Sequence, residues 1–159
     1  MSVTDLLPYI AGLFAFLLLL TLVHRIRRKK HYYSLAYIDR LEGVAFERYI
    51  AEILPLCGYD DIRTTPASRD FGVDILANKD GESTAFQCKR YASAVGLSAI
   101  QEVFTGMAFY NTDRAVVVSN ARFTDNARLL ADTIGVELWD RDTLSALLTQ
   151  LDGQYRRLT

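Results

Sequence analysis

From Arg40 onward the apolar positions follow two rhythms that divide the chain into helices and strands. Leu41, Val44, Ala45, Ile50, Ile53 and Leu54 fall close to a helical repeat, which predicts a helix over 40–56 with one buried face, stopped by Gly58. A short polar strand follows at 60–65. Two apolar strands come next, at 72–77 and 84–89, and Asp80-Gly81 between them is a strong signal for a tight hairpin. Ile100, Val103, Phe104 and Met107 give a second helix over 97–110, and the run Ala-Val-Val-Val marks a buried strand over 114–119. A helix over 124–133 turns Leu129, Leu130 and Ile134 inward, a short strand occupies 136–139, and a last helix covers 143–151. The order is helix, three-strand meander, helix, strand, helix, strand, helix. It predicts an α/β domain over 40–152, a mixed central sheet with helices on its faces, of ordinary single-domain size, with 153–159 as a tail.

The N-terminal pattern is different. Residues 6–23 carry no charge, and at 1.5 Å per residue they would span about 27 Å as a helix. His24-Arg25-Ile26-Arg27-Arg28-Lys29-Lys30 follows at once, whereas only Asp5 carries charge before the run. A cleaved signal peptide has its basic residues in front and a small-residue cleavage site behind, and neither is present. The pattern predicts a transmembrane helix at 6–23 in contact with the lipid bilayer, 1–5 outside and 24–39 as a basic juxtamembrane linker. The localisation expected from it is the inner (cytoplasmic) membrane, single-pass, with the folded domain in the cytoplasm.

Counting back from the Asp80-Gly81 turn sets Lys79 against Glu82 and Asp74 against Gln87. Alternation along the strand puts Gln87 and Lys89 on one face and Cys88 on the other. A carboxylate, an amide oxygen and an ammonium then converge on an otherwise apolar sheet. Asp74, Gln87 and the Cys88 backbone carbonyl are oxygen donors of the kind Mg²⁺ takes, and Lys89 could orient a water or offset phosphate charge. The plain alternative is a surface ion pair between Asp74 and Lys89, which contributes little.

The stretch from Leu41 to about Leu144 resembles the catalytic domain of Mrr-type restriction endonucleases, within the PD-(D/E)xK nuclease superfamily. The likeness runs through Gly43-Val44-Ala45-Phe46-Glu47-Arg48-Tyr49-Ile50, Gly58-Tyr59, Arg69-Asp70-Phe71-Gly72-Val73-Asp74-Ile75 and Phe86-Gln87-Cys88-Lys89-Arg90. It continues in Gln101-Glu102-Val103, Val116-Val117-Val118-Ser119-Asn120, Phe123-Thr124-Asp125-Asn126-Ala127 and Gly135-Val136-Glu137-Leu138-Trp139-Asp140. In that family glutamine commonly stands for the acidic residue before X-Lys, so Gln87 fits an intact site. The resemblance implies a restriction-endonuclease-like αβββαβ core and Mg²⁺-dependent DNA cleavage, with Mn²⁺ as a substitute. It makes Asp74, Gln87, Lys89 and Glu47 catalytic, with Glu47 reaching the metal through water. On local pattern alone Glu47 is a solvent-facing helix residue and Asp70 a turn residue before Gly72. Asp70, Arg90 and Gln101 are expected to support the site or contact DNA. A homodimer is expected as well, because cutting both strands usually needs two sites. Here an apolar run stands where those enzymes usually carry a separate DNA-recognition domain. A role in defence against foreign DNA, or in DNA processing, follows from the resemblance.

Charge narrows the picture. Residues 31–159 hold thirteen basic and eighteen acidic side chains, net −5, which is not the footprint of a strong nonspecific DNA binder. Arg69, Arg90 and Arg122 could still line a groove. The acidic surface keeps open a nuclease-like module that binds nucleic acid or protein without cutting. Cys57 and Cys88 make no zinc pattern, and Cys88 is expected in the core.

Overall fold

The computed structural model describes residues 3–66 and 71–158, leaving aside the side chains of 3–8, 24–31, 155, 156 and 158. Among the described residues six α-helices and five strands follow one another: α1 (Val3–Tyr32), α2 (Leu35–Ile38), α3 (Gly43–Ile53), β1 (Asp60–Thr64), β2 (Ile75–Lys79), β3 (Glu82–Lys89), α4 (Leu97–Tyr110), β4 (Arg114–Ser119), α5 (Asp125–Ile134), β5 (Glu137–Trp139) and α6 (Arg141–Leu158), with a 3-10 turn over Leu54–Cys57 after α3. The five strands lie side by side in chain order; β1, β2 and β3 are antiparallel, and β4 and β5 continue the sheet in parallel. This is the expected mixed sheet.

The β2–β3 hairpin shows why its register was readable. Lys79 pairs with Glu82, and Asp80 and Gly81 both adopt positive φ, +54° and +86°. Two consecutive left-handed residues match the twist of the flanking strands. The sheet separates two apolar layers. Phe46, Ile50 and Ile53 of α3 join Leu144, Leu148 and Leu151 of α6 against Ile75, Phe86, Val116 and Trp139 on one face. On the other face α4 and α5 supply Ile100, Val103, Ala127 and Ala131 against Ala115 and Val117. Cys88 is buried in the first layer as expected, and burial pushes its thiol well above the ordinary value.

Several boundaries and faces differ from the sequence expectation. Val44 and Leu129 are 63% and 68% exposed, because the buried stripe of α3 runs through Phe46, Tyr49, Ile50 and Ile53 and that of α5 through Ala127 and Ala131. Small alanines let α5 approach the sheet closely, so the larger Leu129 is left outside. The strand expected to start at Gly72 begins at Ile75. The packed unit also includes Tyr32, Tyr33, Leu35 and Ile38, the last fully buried.

The N-terminal expectation is overturned. Helix α1 carries the apolar run, with exposed side chains from Tyr9 to Val23. Among the described residues, however, no helix is long and apolar enough to cross a membrane. The transmembrane helix at 6–23, its lipid contact and the inner-membrane localisation therefore fall.

Candidate active site

Three elements meet where β2 begins and β3 ends. Residues Phe71 and Gly72, with φ of +51° and +76°, bring the chain against α4 and turn it into β2. Helix α4 can be approached this closely because Gly106 has no side chain. A Cβ there would stand 2.3 Å from Val73 Cγ2 and 2.7 Å from the Phe71 carbonyl oxygen. At Gly72 a Cβ would stand 2.6 Å from Glu102 Cβ and 3.1 Å from Gln87 Nε2. Phe71 also stacks on Phe109 of α4, ring centroids 4.1 Å apart. Glycine at both contact points seats the segment that delivers Asp74.

Asp74 stands one position before the regular β2–β3 ladder. Its backbone N–H donates to the Phe86 carbonyl at 2.8 Å, and its carboxylate Oδ2 accepts the Cys88 N–H at 2.6 Å. The side chain thus takes a backbone donor near the end of β3, which fixes the carboxylate beside the Gln87–Lys89 segment. A carboxylate offers about four lone-pair positions, so a backbone N–H and a cation can share one.

Gln87 and Lys89 both turn toward α4, as alternation required. There they meet Glu102. Gln87 Nε2 donates to Glu102 Oε2 at 2.6 Å, and Lys89 Nζ donates to the same oxygen at 2.8 Å. Burial works to raise the Glu102 carboxyl, but the hydrogen bonds from Lys89 and Gln87 prevail and hold it below the ordinary value. The Glu102 contact also orients the Gln87 amide: nitrogen faces the carboxylate, so Oε1 points away. Gln87 is 2% exposed, and among the described residues its buried Oε1 has no hydrogen-bond partner. An orphaned buried acceptor costs about 1–3 kcal/mol unless something meets it.

The remaining expected residues divide. Glu47 is half-buried on α3, and its charge and that of Asp74 both act on the Cys88 thiol, which puts it beside the end of β3. Arg90, next after Lys89, turns the other way and donates to the Asp39 carbonyl oxygen. Gln101 is exposed on α4; its neighbour Glu102 makes the contacts with Gln87 and Lys89 instead. Asp70 and Arg69 lie outside the described residues. Glu102 lies within the Gln101-Glu102-Val103 stretch that carries the family likeness, and residue pattern alone gives it no role there. The available signal was its place on α4, one turn before the buried Gly106 and one residue before the buried Val103.

Among the described residues no three His, Cys, Asp or Glu side chains cluster as a metal site. A Mg²⁺ site does not need such a cluster, since that ion uses one or two carboxylates and completes its shell with other oxygens. Asp74, the orphaned Gln87 Oε1 and a backbone carbonyl at Cys88 are hard oxygen donors of that type.

Comparison with known proteins places the geometry in a family. A methyl-directed type IV restriction enzyme of Escherichia coli (strain K12), EcoKMrr, is 27% identical over 113 residues, 66% of this chain and 37% of that enzyme. Among solved structures, the DNA modification-dependent restriction endonuclease AspBHI aligns with TM-score 0.59 and 16% identity, over 76% of this chain and 35% of its own. The protein AF1548, of unknown function, aligns with TM-score 0.52 and 19% identity, over 59% of this chain and 55% of its own. At these identities the structural matches speak for the fold alone. The chain spans little more than a third of the length of EcoKMrr and of AspBHI. Residues 38–148, from the end of α2 into α6 and including every described residue of the site, match the Mrr catalytic domain of restriction endonucleases, and the chain belongs to that family.

Proposed function

We propose that this chain is a divalent-metal-dependent DNA endonuclease that hydrolyses phosphodiester bonds, using Mg²⁺ with Mn²⁺ able to replace it. The observation that carries the reading is the Gln87 amide. Glu102 holds its nitrogen at 2.6 Å, and among the described residues the buried oxygen has no hydrogen-bond partner, while the Asp74 carboxylate is fixed on the N–H of the next residue, Cys88. A buried acceptor aimed in this way suits a cation better than it suits an apolar core. Asp74, Gln87 Oε1 and the Cys88 carbonyl would hold the ion, with Glu47 reaching it through water. When bound, the cation would supply Lewis-acid charge stabilisation at the phosphate.

The chain's own groups do the rest. Asp74 is anchored by the Cys88 N–H, so its carboxylate needs little reorganisation to bind. Lys89, half-buried and held by Glu102, presents its ammonium where it can orient the attacking water or offset charge on the phosphorane. Water adds at phosphorus and one P–O ester bond breaks. Glu102 is a positioning residue that sets the rotamers of both Gln87 and Lys89.

The test is cleavage of plasmid DNA by the full chain with Mg²⁺, Mn²⁺ or EDTA, beside Asp74→Ala and Lys89→Ala. Metal-dependent nicking or linearisation, lost in both variants, is expected. No cleavage of unmodified, methylated or single-stranded DNA by a folded protein would favour a domain that binds without cutting.

A further inference from the structure

We infer that the arginine-lined cavity on the far side of β3 from Glu102 binds a DNA backbone phosphate flanking the one that is cut. This inference rests on the nuclease reading and assigns a second anion site to it. The cavity measures about 500 Å³ and is lined by Asp39, Arg90, Tyr91, Asn120, Arg122 and Arg141 among others. Lys89 and Arg90 are consecutive, so their side chains leave opposite faces of the strand end. Lys89 goes to Glu102 on α4, and Arg90 goes to Asp39 just after α2. The end of β3 therefore presents a cation on each side, and a strand crossing it from the Asp74–Gln87–Lys89 site runs into the arginine cavity.

The charge balance of the cavity runs against that of the chain. Three guanidiniums face one carboxylate, although residues 31–159 together are net −5. Asp39 is committed to Arg141 through two bonds of 2.9 Å and accepts Asn120 Nδ2 at 3.0 Å. Among the described residues Arg122 pairs with Asp142, at 3.1 Å, with both side chains about two-thirds exposed, so that pair is weak. Among the described residues Arg90 has a carbonyl rather than a carboxylate as hydrogen-bond partner, and its buried Nε–H has none. A phosphate oxygen would supply the missing acceptor and answer the excess positive charge.

The cavity is also pre-built. Tyr91 N–H donates to Asn120 Oδ1 at 2.9 Å, Arg141 Nη1 to the Asn120 carbonyl at 3.0 Å, and Val95 N–H to the Arg122 carbonyl at 2.9 Å. The walls are thus tied to one another without a ligand. Exposed Tyr91 offers a ring at the rim, where the sugar or base attached to that phosphate can lie.

Two measurements on the full chain test this. In EDTA, duplex binding is followed against salt concentration for the wild type, Arg122→Gln and Arg90→Gln. Loss of one phosphate contact lowers the slope of log K against log salt by about 0.9, which is roughly an eightfold weaker affinity at 0.1 M salt. Arg122→Gln is the safer variant, because its side chain is exposed and its loss leaves the Asp39 network intact. In parallel, the arginine Nε–H signals are followed by NMR as inorganic phosphate is added, and the Arg90 signal is expected to move. Unchanged slopes in both variants, with an Arg90 signal indifferent to phosphate while DNA is still bound and cut, overturn the cavity's role and leave the nuclease reading standing. Phosphate binding at Arg90 in a protein that neither binds nor cuts DNA overturns both, and marks the occupant as a phosphorylated small molecule.

Discussion

Glu102 engages two of the proposed catalytic residues through a single oxygen, and this makes it the most informative position to change. Replacing it with alanine frees the Gln87 amide to rotate and leaves Lys89 Nζ without its anchor. Loss of a group that orients metal ligands commonly costs 10–100-fold in metal affinity or activity. Glu102→Ala is therefore expected to lower nuclease activity by about that factor and to raise the Mg²⁺ concentration for half-maximal rate. Gln101→Ala, one residue away and exposed, should leave both unchanged. Equal effects of the two substitutions would show that α4 matters only as packing. A second residue-level test concerns pH. Hydrogen bonds from Arg141 and Asn120, against the opposing effect of burial, hold the Asp39 carboxyl below the ordinary value. A carboxyl lowered in the folded state stabilises the fold fully above its unfolded value, about 3.9, and the contribution fades as pH falls through the folded value. The gap in melting temperature between the wild type and Asp39→Asn should thus be widest near pH 6 and close toward pH 3. It should be modest at its widest, because both partners are about one-third exposed.

At the level of elements, the site depends on how closely the Phe71–Val73 segment lies on α4. Gly106→Ala would force a Cβ to within 2.3 Å of Val73 Cγ2, so the segment or the helix must move. The cost expected of such overpacking is about 1–3 kcal/mol. Because Asp74 follows directly, activity should fall more than stability alone predicts, as read by cleavage assays well below the melting temperature. The same contact explains what could be foreseen. The Asp80-Gly81 turn fixes the β2–β3 register by local chemistry, so Gln87 and Lys89 on one face and Cys88 on the other were legible from alternation. The offset at Asp74 and the arrival of Glu102 were not. Both depend on the docking of α4 against β3 through glycines at 72 and 106, a tertiary approach that residue order leaves open. Leu129 and Val44 mislead for a related reason: periodicity finds a stripe, but alanines at 127 and 131, and Phe46 on α3, decide which side faces the sheet.

For the whole molecule, the boundary of the folded unit lies between the apolar run of α1 and the aromatic cluster at its C-terminal end. Tyr32 packs at a tilt against Tyr49 and Tyr37 with ring centroids 4.9 and 5.1 Å apart, and its hydroxyl donates to Glu52. Ile38 is fully buried in the layer formed with α3 and α6, and Asp39 holds Arg141 at the start of α6. The first and last parts of the domain are therefore joined through residues 32–39, and α2 behaves as part of the domain rather than as a linker. A chain lacking residues 1–30 should keep the melting temperature and the plasmid-cleaving activity of the full chain. A chain lacking 1–39 loses the Ile38 side chain and both bonds to Arg141. Emptying a buried isoleucine site alone costs about 2–5 kcal/mol, enough to lower a domain of this size by many degrees. Arg141 would also be released into the arginine cavity, so DNA affinity per folded molecule should rise even as the folded fraction falls. Thermal melts of the two truncated chains, read beside duplex binding at a temperature where both are folded, separate these effects. Equal melting temperatures for the two would place the domain boundary after Asp39 and remove the tie between the chain's two ends.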